Sequence, residues 1–134
     1  MTIKEYLSQA FYLERKIKSK ENQLEYLRVH VVYATPTITD MPKCTSSEKS
    51  KMENTLIKII ELESYINQEI LKLIILKKDI EHSIKNVNNI ACETILEMRY
   101  LEYLSWQDVA LKLNVSQDHV YYLHRKALEL IKVP

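Results

Sequence analysis

Apolar residues return every seven positions along the first quarter of the chain. Ile3, Ala10, Ile17, Leu24 and Val31 form one row, and Tyr6, Leu13, Lys20 and Leu27 follow three residues after the first four of them. This spacing keeps one seam of a helix facing a partner helix, so it predicts a coiled-coil-like helix over about residues 2–33 with one polar layer at Lys20. A second pattern follows. Met52, Ile59, Ile66, Leu73, Ile80 and Val87 recur every seven residues, joined by Leu56, Glu63, Ile70, Lys77 and Ile84. It predicts a helix over about 47–87 whose polar layers are Glu63 and Lys77.

Between the two patterns lies TPTITDMPKCTSS, a linker over about 34–46. Its prolines stop one helix, and Ser46 or Ser47 can cap the next, so the chain is expected to turn back into an antiparallel hairpin. Facing layers of such a hairpin have residue numbers with a constant sum. A sum of 83 sets Lys20 against Glu63, Ile17 against Ile66, Leu24 against Ile59, Ile3 against Ile80, and Tyr6 near Lys77. Shifting by a heptad sets Lys20 against Leu56 or Ile70, an unpaired charge in an apolar layer, so 83 is the expected register.

Ile57, Ile60, Leu62, Leu71, Ile74 and Ile75 widen the apolar stripe of the second helix beyond one seam. A hairpin alone leaves them uncovered, and monomers rarely expose patches of that size. Either the C-terminal region folds back over them or a second copy of the chain does. The reading favours a homodimer in which two hairpins form a four-helix bundle.

The pattern breaks at KNVNN, residues 85–89, where Asn88 or Asn89 can cap a helix carrying Ile95, Leu96, Met98, Arg99 and Leu101. Residues 88–134 then read as a separate module, with 1–87 as the hairpin. Ser105 followed by Asp108 is an acidic capping box, and it opens a helix of about nine residues with Val109, Ala110 and Leu113 on its inner face. Asn114 tolerates the left-handed conformation that ends a helix, and Ser116 caps the next one, leaving a turn of about three residues. In that last helix, residues 117–132, Val120, Leu123, Ala127, Leu130 and Ile131 form the inward stripe. The spacing is that of a helix-turn-helix.

In such a motif the start of the second helix meets base edges in the major groove of duplex DNA. Asp118, Tyr122 and Arg125 lie opposite the inward stripe, flanked by Gln117, His119 and Tyr121. Gln117, Asp118, Tyr121 and Tyr122 are the expected base readers, with Arg125, Lys126 and His119 on phosphates.

The stretch MRYLEYLSWQDVALKLNVS, continued by HVYYLHRKAL, resembles region 4 of sigma-70-type factors over about 40 residues. The hairpin, the T-P-x-x-x-x-M-P linker and this module together are similar to short proteins of phages and prophages of Gram-positive bacteria, some of them called late-gene transcription regulators. The resemblance implies a transcription regulator that binds DNA and contacts RNA polymerase in the bacterial cytoplasm. In that family the L-R-Y arginine, Arg99, implies packing inside the module. The glycine common in the loop is replaced by Tyr103, and in the turn by Asn114.

Charge qualifies the DNA reading. Residues 88–134 carry five Lys and Arg against six Asp and Glu, a formal −1, whereas phosphate affinity rests on counterion release by cations. The module alone is expected to bind weakly, with a shallow salt slope, and to need a dimer or a polymerase-bound state. The same charge suits the alternative, a protein-interaction module that binds RNA polymerase or another protein without stable DNA binding.

Composition narrows the remaining choices. The chain of 134 residues has no glycine, three prolines and a net charge of +1. That favours an all-α fold and excludes glycine-rich phosphate loops. Its N-terminal stretch MTIKEYLSQAFYLERK carries charges throughout, so neither a signal peptide nor a membrane span is expected. Cys44 and Cys92 are too far apart for a CxxC pair, and no metal or other cofactor is implied. Cys44 is expected in a loop and Cys92 as a small core residue. His30, His82, His119 and His124 have no ligand spacing, and no nucleophile sits beside a plausible base, so an enzyme is not expected.

Overall fold

The computed structural model describes residues 1–34 and 46–134. Among these the chain forms α1 (Ile3–Ala34), α2 (Ser46–Lys85), α3 (Ile90–Leu96), a π-helical turn (Glu97–Leu101), α4 (Trp106–Leu113) and α5 (Gln117–Leu130). The fold is all-α. α1 and α2 pair as an antiparallel hairpin, and a helix-turn-helix follows. The linker prolines and Cys44 lie outside the described residues.

The residues group into two compact units, one of Arg15–Leu71 and one of Met1–Glu14 with Lys72–Pro134. In the first, Ile17, Leu24, Ile59 and Ile66 are buried, as the heptads require. The expected pairing of Lys20 with Glu63 is not the one formed. Glu63 pairs with Arg28 at 2.6 Å, and the ammonium groups of Lys16 and Lys20 lie over the Tyr65 ring at 5.5 and 5.9 Å. A long lysine stem can cover apolar surface while its head reaches an aromatic face, so Lys20 needs no carboxylate opposite it.

The second unit has its own core. Leu7 and Ala10 of α1 meet Ile80 and Ile84 of α2, Val87, Cys92 and Leu96, Tyr100, and Ala127 and Ile131 around α5. Lys77 pairs with Glu14 at 3.6 Å, not with the Tyr6 side of the hairpin. This pair and Arg28 with Glu63 both have residue numbers summing to 91. The contacts of Lys16 and Lys20 with Tyr65 have sums of 81 and 85, on either side of the expected 83. Leu7, absent from the expected seam, is fully buried because the helix-turn-helix widens the surface that α1 must cover.

The junction after α2 uses the asparagines. Asn88 has φ of 56°, and the Asn89 side chain accepts the Cys92 N–H at 3.2 Å as the α3 cap. Cys92 is buried, with its Sγ 3.8 Å from the Leu123 carbonyl, and burial raises its thiol above the usual range. It packs as a small apolar residue.

Candidate nucleic-acid interface

Local chemistry sets the angle at which α5 is presented. Ser105 Oγ accepts the Asp108 N–H at 3.1 Å and starts α4. Asn114 then adopts φ 56° and ψ 46°, and the Val115 N–H returns to the Ala110 carbonyl at 3.1 Å, a Schellman-type stop. Ser116 Oγ accepts the His119 N–H at 3.2 Å and starts α5. The turn is thus closed by Asn114, Val115 and Ser116. Ile95, Val109, Ala110 and Val120 form the buried centre that fixes α3, α4 and α5 together.

A second left-handed residue precedes α4. Tyr103, at the loop position where glycine is common in the resembling modules, has φ of 61°. Its side chain compensates. The ring meets Phe11 edge-on at 5.4 Å and lies under the Lys77 ammonium at 5.2 Å. Its hydroxyl and Glu14 Oε2 are both buried without a geometrically complete hydrogen bond, and burial first, then Glu14, raise the hydroxyl above the ordinary tyrosine range.

Gln117, Asp118, His119, Tyr121, Tyr122, Arg125 and Lys126 are all exposed on α5. The helix therefore brings the seven expected site residues to solvent. His119 and Tyr122 stack at 6.2 Å, and Tyr121 meets the edge of Trp106 at 5.5 Å. Among the described residues, no ion pair engages Arg125 or Lys126.

Behind this face the inward stripe differs in one place from expectation. Leu130 is 43% exposed, whereas His124 is buried with Val120, Ala127 and Ile131. His124 Nε2 and the Tyr100 hydroxyl share a hydrogen bond of 2.7 Å, which lets an imidazole replace a hydrocarbon there. Burial, followed by the charges of Lys4 and Arg99, lowers His124 to about 4, so it is neutral at physiological pH. The Trp106 ring touches His124 at 4.6 Å from its other side.

Arg99 is a structural residue. Its guanidinium lies 4.4 Å over the Trp106 ring and donates to the Leu104 carbonyl at 2.9 Å. A chain of contacts therefore runs from Arg99 through Trp106 to Tyr121 on the exposed face. The support that Trp106 gives Tyr121 has no sequence signal.

Over residues 32–132 the sequence matches the family described as "Protein of unknown function (DUF1492)", and the chain belongs to that family. No curated protein and no solved structure matches it.

Proposed function

We propose that this protein is a DNA-binding transcription regulator of the phage and prophage type, placing α5 in the major groove and acting together with RNA polymerase in the cytoplasm of a bacterial host. The observation that carries this reading is the shared exposure of Gln117, Asp118, Tyr122 and Arg125 at the start and along the outer face of α5. The opposite face is locked into the module. Docking by the start of the second helix is how this motif reads base edges, and amide, carboxylate and phenol groups at those positions have the donors and acceptors to do so. Arg125 and Lys126 follow where phosphate contacts belong. The resemblance to sigma-70 region 4 supports the same assignment and supplies the polymerase partner.

A near-neutral module binds phosphate weakly, so the regulator acts as a homodimer assembled through its hairpin, with two weak heads gaining affinity on one duplex. The charge of −1 over residues 88–134 also favours a second reading, in which the tyrosine-rich face docks on RNA polymerase or another protein and DNA is not held stably. Among the described residues no helix is long and apolar enough to cross a membrane.

A gel-shift titration against duplex DNA, at low and moderate salt, separates the two readings. DNA binding predicts salt-sensitive complexes that Arg125→Ala weakens by a similar factor on every sequence, while Gln117→Ala and Tyr122→Ala change sequence preference. Absence of salt-sensitive binding at low salt, with and without RNA polymerase, rejects the DNA reading and leaves the docking one.

A further inference from the structure

We propose that two copies of this chain dimerise through the outward face of α2, antiparallel, in the register in which facing residue numbers sum to 131. α2 is one uninterrupted helix from Ser46 to Lys85, and its inward seam is already occupied, with Ile59, Ile66, Ile80 and Ile84 buried. Among the described residues, the other side is not occupied. Leu56, which the heptad spacing assigns to the hairpin seam, is exposed together with Ile57, Ile60, Leu71, Ile74 and Ile75, all between 43% and 65%, too many large apolar groups on one helix face for a surface that meets only water.

These residues are ordered, not scattered. Ile57, Ser64 and Leu71 recur every seven positions, and Ile60, Asn67 and Ile74 follow three after each, which makes a second heptad seam interrupted by one polar step at its middle. Inverting that seam about its midpoint reproduces it. Antiparallel pairing sets Ile57 against Ile74, Ile60 against Leu71, and Leu56 against Ile75. In the same register Ser64 meets Asn67, so the polar residues share layers and can hydrogen-bond, and Glu53 meets Lys78 at each end. All ten of these positions are exposed. This is the self-complementarity that a two-fold interface demands.

The alternatives fit worse. Sliding one copy by a heptad sets Asn67 against Ile57 or Leu71 and Ser64 against Ile60 or Ile74, which places unpaired polar groups in apolar layers. A parallel dimer in register matches the apolar layers but sets Lys78 against Lys78 and Glu53 against Glu53. Charge therefore selects the antiparallel arrangement. The seam from Glu53 to Lys78 is about 38 Å of helix, long enough for a coiled-coil contact between two copies.

This inference specifies the dimer on which the two-headed DNA reading rests, and its test contains no DNA, so the two can fail separately. Sedimentation equilibrium of the full chain is expected to give twice the 15.9 kDa chain mass. Ile60→Glu and Leu71→Glu are expected to yield monomers with unchanged helical circular dichroism. Glu53→Lys or Lys78→Glu alone is expected to weaken dimerisation several-fold, and the double exchange to restore it. In a Cys44→Ser background, an oxidised mixture of Ser64→Cys and Asn67→Cys chains is expected to give a covalent dimer that Ser64→Cys alone does not form. A wild-type monomer well above micromolar concentration overturns the proposal, as does a dimer that survives both glutamate substitutions. Self-linking by Ser64→Cys alone overturns the antiparallel register.

Discussion

Tyr103 holds a backbone conformation that most side chains resist, because its ring is fixed by Phe11 and Lys77. Glycine adopts that conformation freely, whereas alanine keeps the steric penalty and loses the ring. Tyr103→Ala and Tyr103→Gly should both destabilise the protein, with the glycine variant the more stable of the two by about 1 kcal/mol. Urea denaturation checks the order, and alanine above glycine contradicts it. His124 gives a second prediction at this scale. An unfolded imidazole takes a proton near pH 6.5, while the buried one stays neutral down to about 4. The unfolded state therefore binds more protons between those values, and the His124 contribution to stability falls as pH drops through that window and is flat above it. The change is roughly 3 kcal/mol at most. Removing both partners in Tyr100→Phe/His124→Leu should make stability depend less on pH between about 4 and 6.5 than it does in wild type, and an unchanged slope sinks this assignment.

At the scale of elements, the hairpin shows where sequence information stops. Helix bounds and the buried heptad residues Ile17, Leu24, Ile59 and Ile66 follow from the period of the pattern alone. The charged pairing does not, because the flexible Lys20 ammonium lies over the Tyr65 ring and Glu63 takes Arg28 instead. Hydropathy likewise placed Leu130 inward and gave His124 no special place, since it does not register that one hydroxyl on Tyr100 satisfies the imidazole. The candidate site was more legible. Its seven residues lie on the outer face of α5 by helical periodicity, whereas the Arg99–Trp106–Tyr121 support depends on a tertiary contact. A double-mutant cycle at Arg28 and Glu63 should give a coupling of about 0.2–1 kcal/mol, as befits an exposed pair, against essentially none for Lys20 and Glu63. The reverse outcome restores the pairing of Lys20 with Glu63.

For the whole molecule, the proposed function rests on a helix-turn-helix that is well built but nearly uncharged. Its capped turn and buried centre present α5 reproducibly, yet five cations against six acids cannot supply the phosphate attraction of a self-sufficient DNA-binding domain. The proposed dimerisation through α2 and the proposed recruitment by RNA polymerase would each raise the local concentration of such a head. Trp106→Ala tests the link between module and face. It should weaken DNA binding without removing any expected DNA contact, because Tyr121 and His124 lose their shared neighbour. Retention of wild-type affinity by a folded Trp106→Ala protein contradicts that link. The most direct measurement of the central claim is selection from a random duplex pool by the full chain, with and without RNA polymerase. A recurrent sequence whose preference shifts in Gln117→Ala or Tyr122→Ala is the predicted result, and a pool that stays random under both conditions contradicts it.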